Sequence, residues 1–191
     1  GRAARREDAV IRATIQGRTG VEAISCDRLV LATGYFDRPN RLNVPGDDLP
    51  HVFSYFDEAH LSSGLDVVVV GGKNSAVEAA LQLFRAGARV TLVHRGEALK
   101  PTVKYWLRPD IENRIAEGGI RALLGAEVVE FVDGAVRVRL PGGGDRIEEV
   151  AAGAAYVLIG YAPETGVLEA AGVRVDPATG APEFEPESCE T

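Results

Sequence analysis

The most regular stretch of apolar positions in the chain is "DVVVVGG", residues 66–72, four valines running into two glycines. A run that is apolar at every position, and not at alternate ones, predicts a strand buried on both faces. The period then changes. In "NSAVEAALQLFRAG" the residues Val77, Leu81 and Phe84 recur at helical spacing, and Gly87 supplies a stop. "RVTLVHR" returns to a strand pattern, so residues 66–95 read as a strand–helix–strand unit of about thirty residues, the size of a mononucleotide-binding half.

The flanking patterns are less regular. Residues 9–34 predict short strands in a meander, the last being the apolar "RLVLATG". "YFDRPNRLNVPGDDLP" is rich in Pro, Asn, Asp and Gly and predicts a surface connection, followed by a short helical piece around "YFDEAHL". "VKYWLRPDIENRIAEGG" predicts a second helix, interrupted or restarted near Pro109, with Trp106, Ile111 and Ile115 toward a core. Residues 120–150 alternate as antiparallel strands, with a hairpin at Asp133-Gly134. "AAYVLIGYAPET" predicts a further buried strand ending at a glycine.

Composition narrows the class. A hydrophobic fraction of 46% and a charged fraction of 26% are those of a folded globular chain. No apolar run reaches the length that spans a bilayer, and no signal-peptide pattern opens the chain. The net charge of −7 argues against nucleic acid or an anionic membrane as partner. The two cysteines, Cys26 and Cys189, form no C-x-x-C pair, which argues against a disulfide scaffold or a structural zinc and for a cytoplasmic setting; no metal site is expected. The absence of methionine among the 191 residues leads us to expect a piece of a longer protein.

The candidate chemistry sits at "GGKNSA". A G-x-G-x-x-A turn between strand and helix receives a pyrophosphate at the helix N-terminus. Gly71 suits the tight exit from the strand and Ala76 suits close packing of helix on strand, but Lys73 stands where the second glycine belongs. An ammonium there hinders close approach yet attracts phosphate. Read without a ligand, the same residues form an ordinary turn with Asn74 and Ser75 capping the helix. The end of the next strand separates the nucleotides. An NAD site carries an acid there to accept from the ribose hydroxyls, whereas this chain has His94 and Arg95, which suit the 2′-phosphate of NADPH. All three lysines, Lys73, Lys100 and Lys104, fall in the same region, and with Arg85, Arg89, Arg95 and Arg108 they make a basic island in an acidic chain.

"LATG", the "VPG" after it and "VVVVGGKNSAVEAALQLFRAGARVTLVHRG" together resemble the flavoprotein disulfide reductases of the thioredoxin reductase type, and "KYWLRPDIENRIAEG" is similar to their bacillithiol-disulfide reductase branch. The resemblance implies an α/β chain: a Rossmann-like, three-layer NAD(P)-binding domain with an antiparallel meander, inserted in part of an FAD-binding domain. It divides the chain into residues 1–61 (end of a first FAD segment and linker), 62–165 (NADPH-binding) and 166–191 (return to the FAD domain). It implies that Ala32, Thr33 and Gly34 lie against FAD. Gly71, Gly72, Asn74, Ser75 and Ala76, with Lys73 and Lys100 beside them, hold the NADPH phosphates; His94 and Arg95 meet the 2′-phosphate, and Ile159 and Gly160 line the nicotinamide side.

Hydride would pass from NADPH to flavin and onward to a small-molecule disulfide, in a protein expected to be a homo-oligomer at full length. One departure bears on the acceptor. No cysteine lies between Ser62 and Tyr161, so the dithiol relay of the thioredoxin reductases is absent from this segment, and no catalytic residue is assigned within it. Two other readings share these motifs: a flavin-dependent monooxygenase and a non-catalytic NADP(H)-binding module.

Overall fold

The computed structural model describes residues 10–32, 34, 36–142, 146–188 and 190–191. Its contacts divide the chain into two units, Tyr35–Pro163 and the paired segments Gly1–Gly34 and Glu164–Thr191. In the paired-segment unit, β1 (Ile11–Gly17) and β2 (Gly20–Cys26) form an antiparallel hairpin in register Gly17↔Gly20. A short helix, Gly166–Ala170, follows the second crossing into this unit.

The unit Tyr35–Pro163 carries the rest. Its strands are β3 (Val52–Phe53), β4 (Asp66–Val70), β5 (Arg89–His94), β6 (Ile120–Leu124), β7 (Glu127–Val132), β8 (Ala135–Arg139), β9 (Ile147–Ala151) and β10 (Ala154–Val157). Its helices are α1 (Asn74–Arg85) and α2 (Arg108–Ala116). Five strands form a parallel sheet in the order β3-β10-β4-β5-β6, and β7-β8-β9 form an antiparallel one.

The valine run of β4 explains the layering. Val67 and Val69 point into one core cluster with Val77, Leu81 and Leu83 of α1 and Ile111 of α2. Val68 and Val70 point to the opposite face, into a cluster with Val128, Phe131, Val136 and Val138 of the antiparallel sheet. Helices, parallel sheet and meander therefore form three layers with β4 apolar on both sides. Full burial of each valine is worth about 1.5–3 kcal/mol, which is why no polar residue interrupts the run.

Several elements depart from the sequence reading. Residues 120–124 do not join the antiparallel meander; β6 pairs in parallel with β5, because α2 is a crossover helix that returns the chain to the same sheet. Pro109 sits in the first turn of α2, so the helix starts near Pro109, one of the two outcomes read there, and residues 103–107 lie outside it. Ile111 is buried as expected, but Trp106 is 57% exposed and packs edge-on against Tyr105. The described residues of "RLVLATG" form no strand, and Val30 is 86% exposed, since no described strand offers them a ladder. Around "YFDEAHL" only Ala59–Ser62 turns, as a 3-10 segment. The unit holding the parallel sheet spans Tyr35–Pro163, and β3 adds to the sheet edge beside β10. The Asp133-Gly134 hairpin is present, with Gly134 at φ 70° between Val132 and Ala135.

Candidate functional site: a cleft at the carboxyl ends of the parallel strands

The direction of chain travel reverses beside β4: the path to β5 and β6 goes one way, and β10 enters on the other side. In open α/β sheets such a reversal leaves a crevice beyond the strand ends. Here the crevice is a cleft of about 450 Å³, walled by Gly71, Gly72, Lys73, Arg95, Lys100 and Ile159 among others.

Gly71 has φ 148°, and a Cβ on it would stand 2.5 Å from the Leu158 carbonyl oxygen and 2.7 Å from the Ala76 Cβ. The Gly71 N–H donates to Val93 O at 2.9 Å, and the Leu158 N–H donates to Val70 O at 2.8 Å. One residue without a side chain thus lets β4, α1 and the exit of β10 converge, and the fully buried Ala76 completes the contact from the helix. The adjacent glycine has a different cause. A Cβ on Gly72 would lie 2.4 Å from Cε1 and from Nε2 of His94, and one on Gly96 would lie 2.7 Å from Nε2. The imidazole fills the space between these two glycines.

His94 is 7% exposed, and its Nε2 has no hydrogen-bond partner among the described residues. Burial, then the neighbouring charges of Lys100 and Arg95, push its pKa below the usual imidazole range, while a hydrogen bond with the Ala98 backbone works the other way. The sequence reading gave His94 and Arg95 the same task. The structure separates them: His94 is a buried ring under the turn, and Arg95 stays exposed at the rim.

The basic island also resolves into two sets. Arg85 pairs with Asp110, Arg89 with Asp66, Arg108 with Glu112 and Lys104 with Glu78. Arg89 grips Asp66 through two bonds of 2.7 and 2.8 Å, at the opposite ends of β4 and β5 from the cleft. Lys73, Arg95 and Lys100 wall the cleft without an ion pair among the described residues. Glu127 lines the cleft with them, and its carboxylate lies 3.6 Å from Arg139.

Lys73 is the N-cap of α1, in extended backbone (φ −111°, ψ −172°), and makes no side-chain capping bond. Asn74 does not cap the helix either. Its Nδ2 donates to Thr102 O at 3.2 Å and its Oδ1 accepts from the Lys104 N–H at 2.8 Å. Ser75 is exposed in the first turn. The helix therefore presents an N-terminus without a side-chain cap to the cleft, the arrangement in which main-chain N–H groups and the helix dipole favour an anion.

Across the cleft, Ile159 contributes an apolar wall, and Gly160 (φ 99°) follows it, its carbonyl accepting from the Asn40 N–H at 3.0 Å. Asn40 and Leu42, which the sequence reading placed in a surface connection, line the same cleft. Their only advance signal is the proximity of the loop to the strand ends. Ala32 and Gly34 belong to the other unit, where both are exposed, and Thr33 lies outside the described residues, as does Cys189. A larger cavity of about 620 Å³ is lined by Leu65, Gly153 and Tyr156 among others, and by none of the candidate cofactor-binding residues. Among the described residues no cluster of His, Cys, Asp and Glu could hold a metal, and no helix is long and apolar enough to cross a membrane.

Residues 12–191 match the family model described as pyridine nucleotide-disulphide oxidoreductase. The bacilliredoxin reductase Bdr of Bacillus subtilis is 41% identical over 173 residues, which cover 91% of this chain and 53% of that protein. The structure of the bacillithiol disulfide reductase Bdr (YpdA) from Bacillus cereus superposes with a TM-score of 0.87 at 36% identity, covering 95% of this chain and 56% of the other. Thioredoxin reductase of Lactococcus lactis has the same fold, with a TM-score of 0.63 at 22% identity and coverage of 83% and 54%. The chain spans about half the length of these proteins.

Proposed function

This chain belongs to the pyridine nucleotide-disulphide oxidoreductase family, whose members use FAD and NAD(P)H, and we propose that it is the NADPH-binding part of a flavoprotein that reduces a low-molecular-weight disulfide. The observation that carries this reading is the convergence, in one cleft, of a helix N-terminus without a side-chain cap, a turn through Gly71 and Gly72, and three cations with no acidic partner among the described residues. Such a site fits a dinucleotide carrying an additional phosphate.

In this reading the first turn of α1 and Lys73 hold the pyrophosphate. Arg95 and Lys100 bind the 2′-phosphate, where a guanidinium fork makes charge-assisted bonds that NADH cannot use. His94 supports the turn from beneath. Ile159 and Gly160 keep water from the nicotinamide side. NADPH supplies the hydride and FAD accepts it, while the protein contributes orientation and electrostatics. Ala32, Thr33 and Gly34 are assigned to the flavin. The domain scheme follows: the unit Tyr35–Pro163 binds NADPH, inserted between two segments of an FAD domain.

The disulfide is placed among small molecules for two reasons. The segment from Ser62 to Tyr161 lacks the cysteine pair that would relay electrons to a protein thiol, and the Bacillus cereus relative carries bacillithiol disulfide in its name. Assay of the flavin-loaded full-length protein tests this reading. NADPH oxidation should depend on added low-molecular-weight disulfide and release thiol stoichiometrically. Consumption coupled to oxygen and not to a disulfide would overturn it in favour of a monooxygenase, and no consumption with any acceptor would leave a binding module.

A further inference from the structure

The carboxamide of Asn74 stands at the N-terminus of α1, where a dinucleotide phosphate would be expected to claim it, yet both of its ends are already engaged by the protein. Nδ2 donates to Thr102 O and Oδ1 accepts from the Lys104 N–H, at 3.2 and 2.8 Å. The segment it grips belongs to the loop between β5 and α2. That loop carries Arg95 and Lys100 into the cleft and is rooted in the core by Leu99 (8% exposed) and Val103 (4%). A second tie runs in parallel: the Lys100 N–H donates to Gly72 O at 3.0 Å. On its far side Lys100 O accepts from Arg108 at 2.7 Å and from the Val103 N–H at 3.0 Å. The glycine turn and the basic loop therefore form one clamp, and Asn74 hydrogen-bonds across its two jaws.

Resting on the NADPH reading above, we propose that Asn74 is a positioning residue for nucleotide choice: it sets the basic loop against the phosphate turn and does not contact the nucleotide through its carboxamide. The substitution of Asn74 carries little folding risk. The residue is half-buried at the first position of the helix, it is not the N-cap, and Ala is a strong helix former. Its loss frees the Lys104 N–H and Thr102 O, and with them the orientation of the loop. Binding that depends on Arg95 and Lys100 should suffer, whereas binding through the turn alone should not.

The test has one arm without nucleotide and one with it, on the full chain. Amide hydrogen exchange on the nucleotide-free protein should show faster exchange at Lys104, and to a smaller degree at Lys100, in Asn74→Ala. In Asn74→Asp, which keeps an acceptor oxygen for the Lys104 N–H, exchange at Lys104 should stay near wild type. Titration should show NADPH weakened roughly three- to ten-fold in Asn74→Ala with NADH nearly unchanged, the scale of one or two neutral hydrogen bonds. Unchanged exchange in Asn74→Ala overturns the inference. So does an equal loss of NADPH and NADH, the result expected of a direct contact with the shared pyrophosphate. A wild-type chain that binds NADPH no better than NADH would sink the functional reading instead, and the exchange arm would still decide whether Asn74 fastens the loop.

Discussion

The imidazole of His94 occupies the space where a side chain at Gly72 would stand, 2.4 Å from the position of its missing Cβ. The glycine at 72 is demanded by a protein side chain below the turn, and Lys73 follows it in the place of the fingerprint's second glycine. Gly72 does not have a positive φ, so a side chain there meets no backbone strain and only a steric obstacle.

It follows that Gly72→Ala should destabilise the unit by about 1–3 kcal/mol, as overpacking does. Much of that loss should vanish in a His94→Ala background, where the ring is gone. Denaturant unfolding of the two single variants and the double variant gives the coupling directly. Strictly additive effects would mean that the ring and the glycine are not in steric opposition.

His94 also gives stability a pH dependence of definite sign. Its folded-state pKa is depressed, so between that value and the ordinary imidazole pKa of about 6.5 the unfolded chain binds more protons than the folded one. Stability is therefore complete above about pH 6.5 and declines as pH falls below it. The charges around the ring, Arg95 and Lys100, deepen the effect. Asp66, whose pKa is lowered chiefly by its bond to Arg89, acts only in the more acidic range below the usual carboxylate value, so the two windows are distinct. Unfolding measured from pH 7.5 to 5 should slope downward in the wild type and much less in His94→Gln; equal slopes would contradict the assignment to His94.

Lys73 supplies the third prediction. Its ammonium reaches the cleft from the N-cap of α1 without a partner among the described residues. Lys73→Gly should weaken NADPH by about 0.5–1 kcal/mol at low salt, the scale of an exposed charge interaction, and the difference should shrink as salt screens it. Calorimetric titration at two ionic strengths measures this. Equal or tighter binding by the glycine variant at low salt would show that Lys73 merely occupies the place.

The sequence made some of this legible and left some concealed, for physical reasons. Val67–Val70, Gly71 and Ala76 announce a strand buried on both faces, a turn and a close helix because each demand is local. β6 was misread because Ile120–Leu124 has the same alternation in either sheet; the preceding helix, which forces a parallel return, held the missing information. The burial of His94 was not visible in "HR", although Gly72 and Gly96, each lacking a side chain, were its trace. Asn74 looked like a cap because helix N-termini favour that residue, and only the fold of residues 96–107 shows that its amide is committed to another loop. The basic island looked like one site until pairing with Asp66, Glu78, Asp110 and Glu112 removed four of its members.

The central claim is that this cleft takes NADPH and that Arg95 reads its 2′-phosphate. Titration of NADPH and NADH against the wild type and Arg95→Ala tests it most directly. A charge-assisted bond of about 1.5–3 kcal/mol should be lost, weakening NADPH by roughly one to two orders of magnitude while NADH stays within a factor of about two. Equal weakening of both nucleotides, or no weakening of either, would contradict the account.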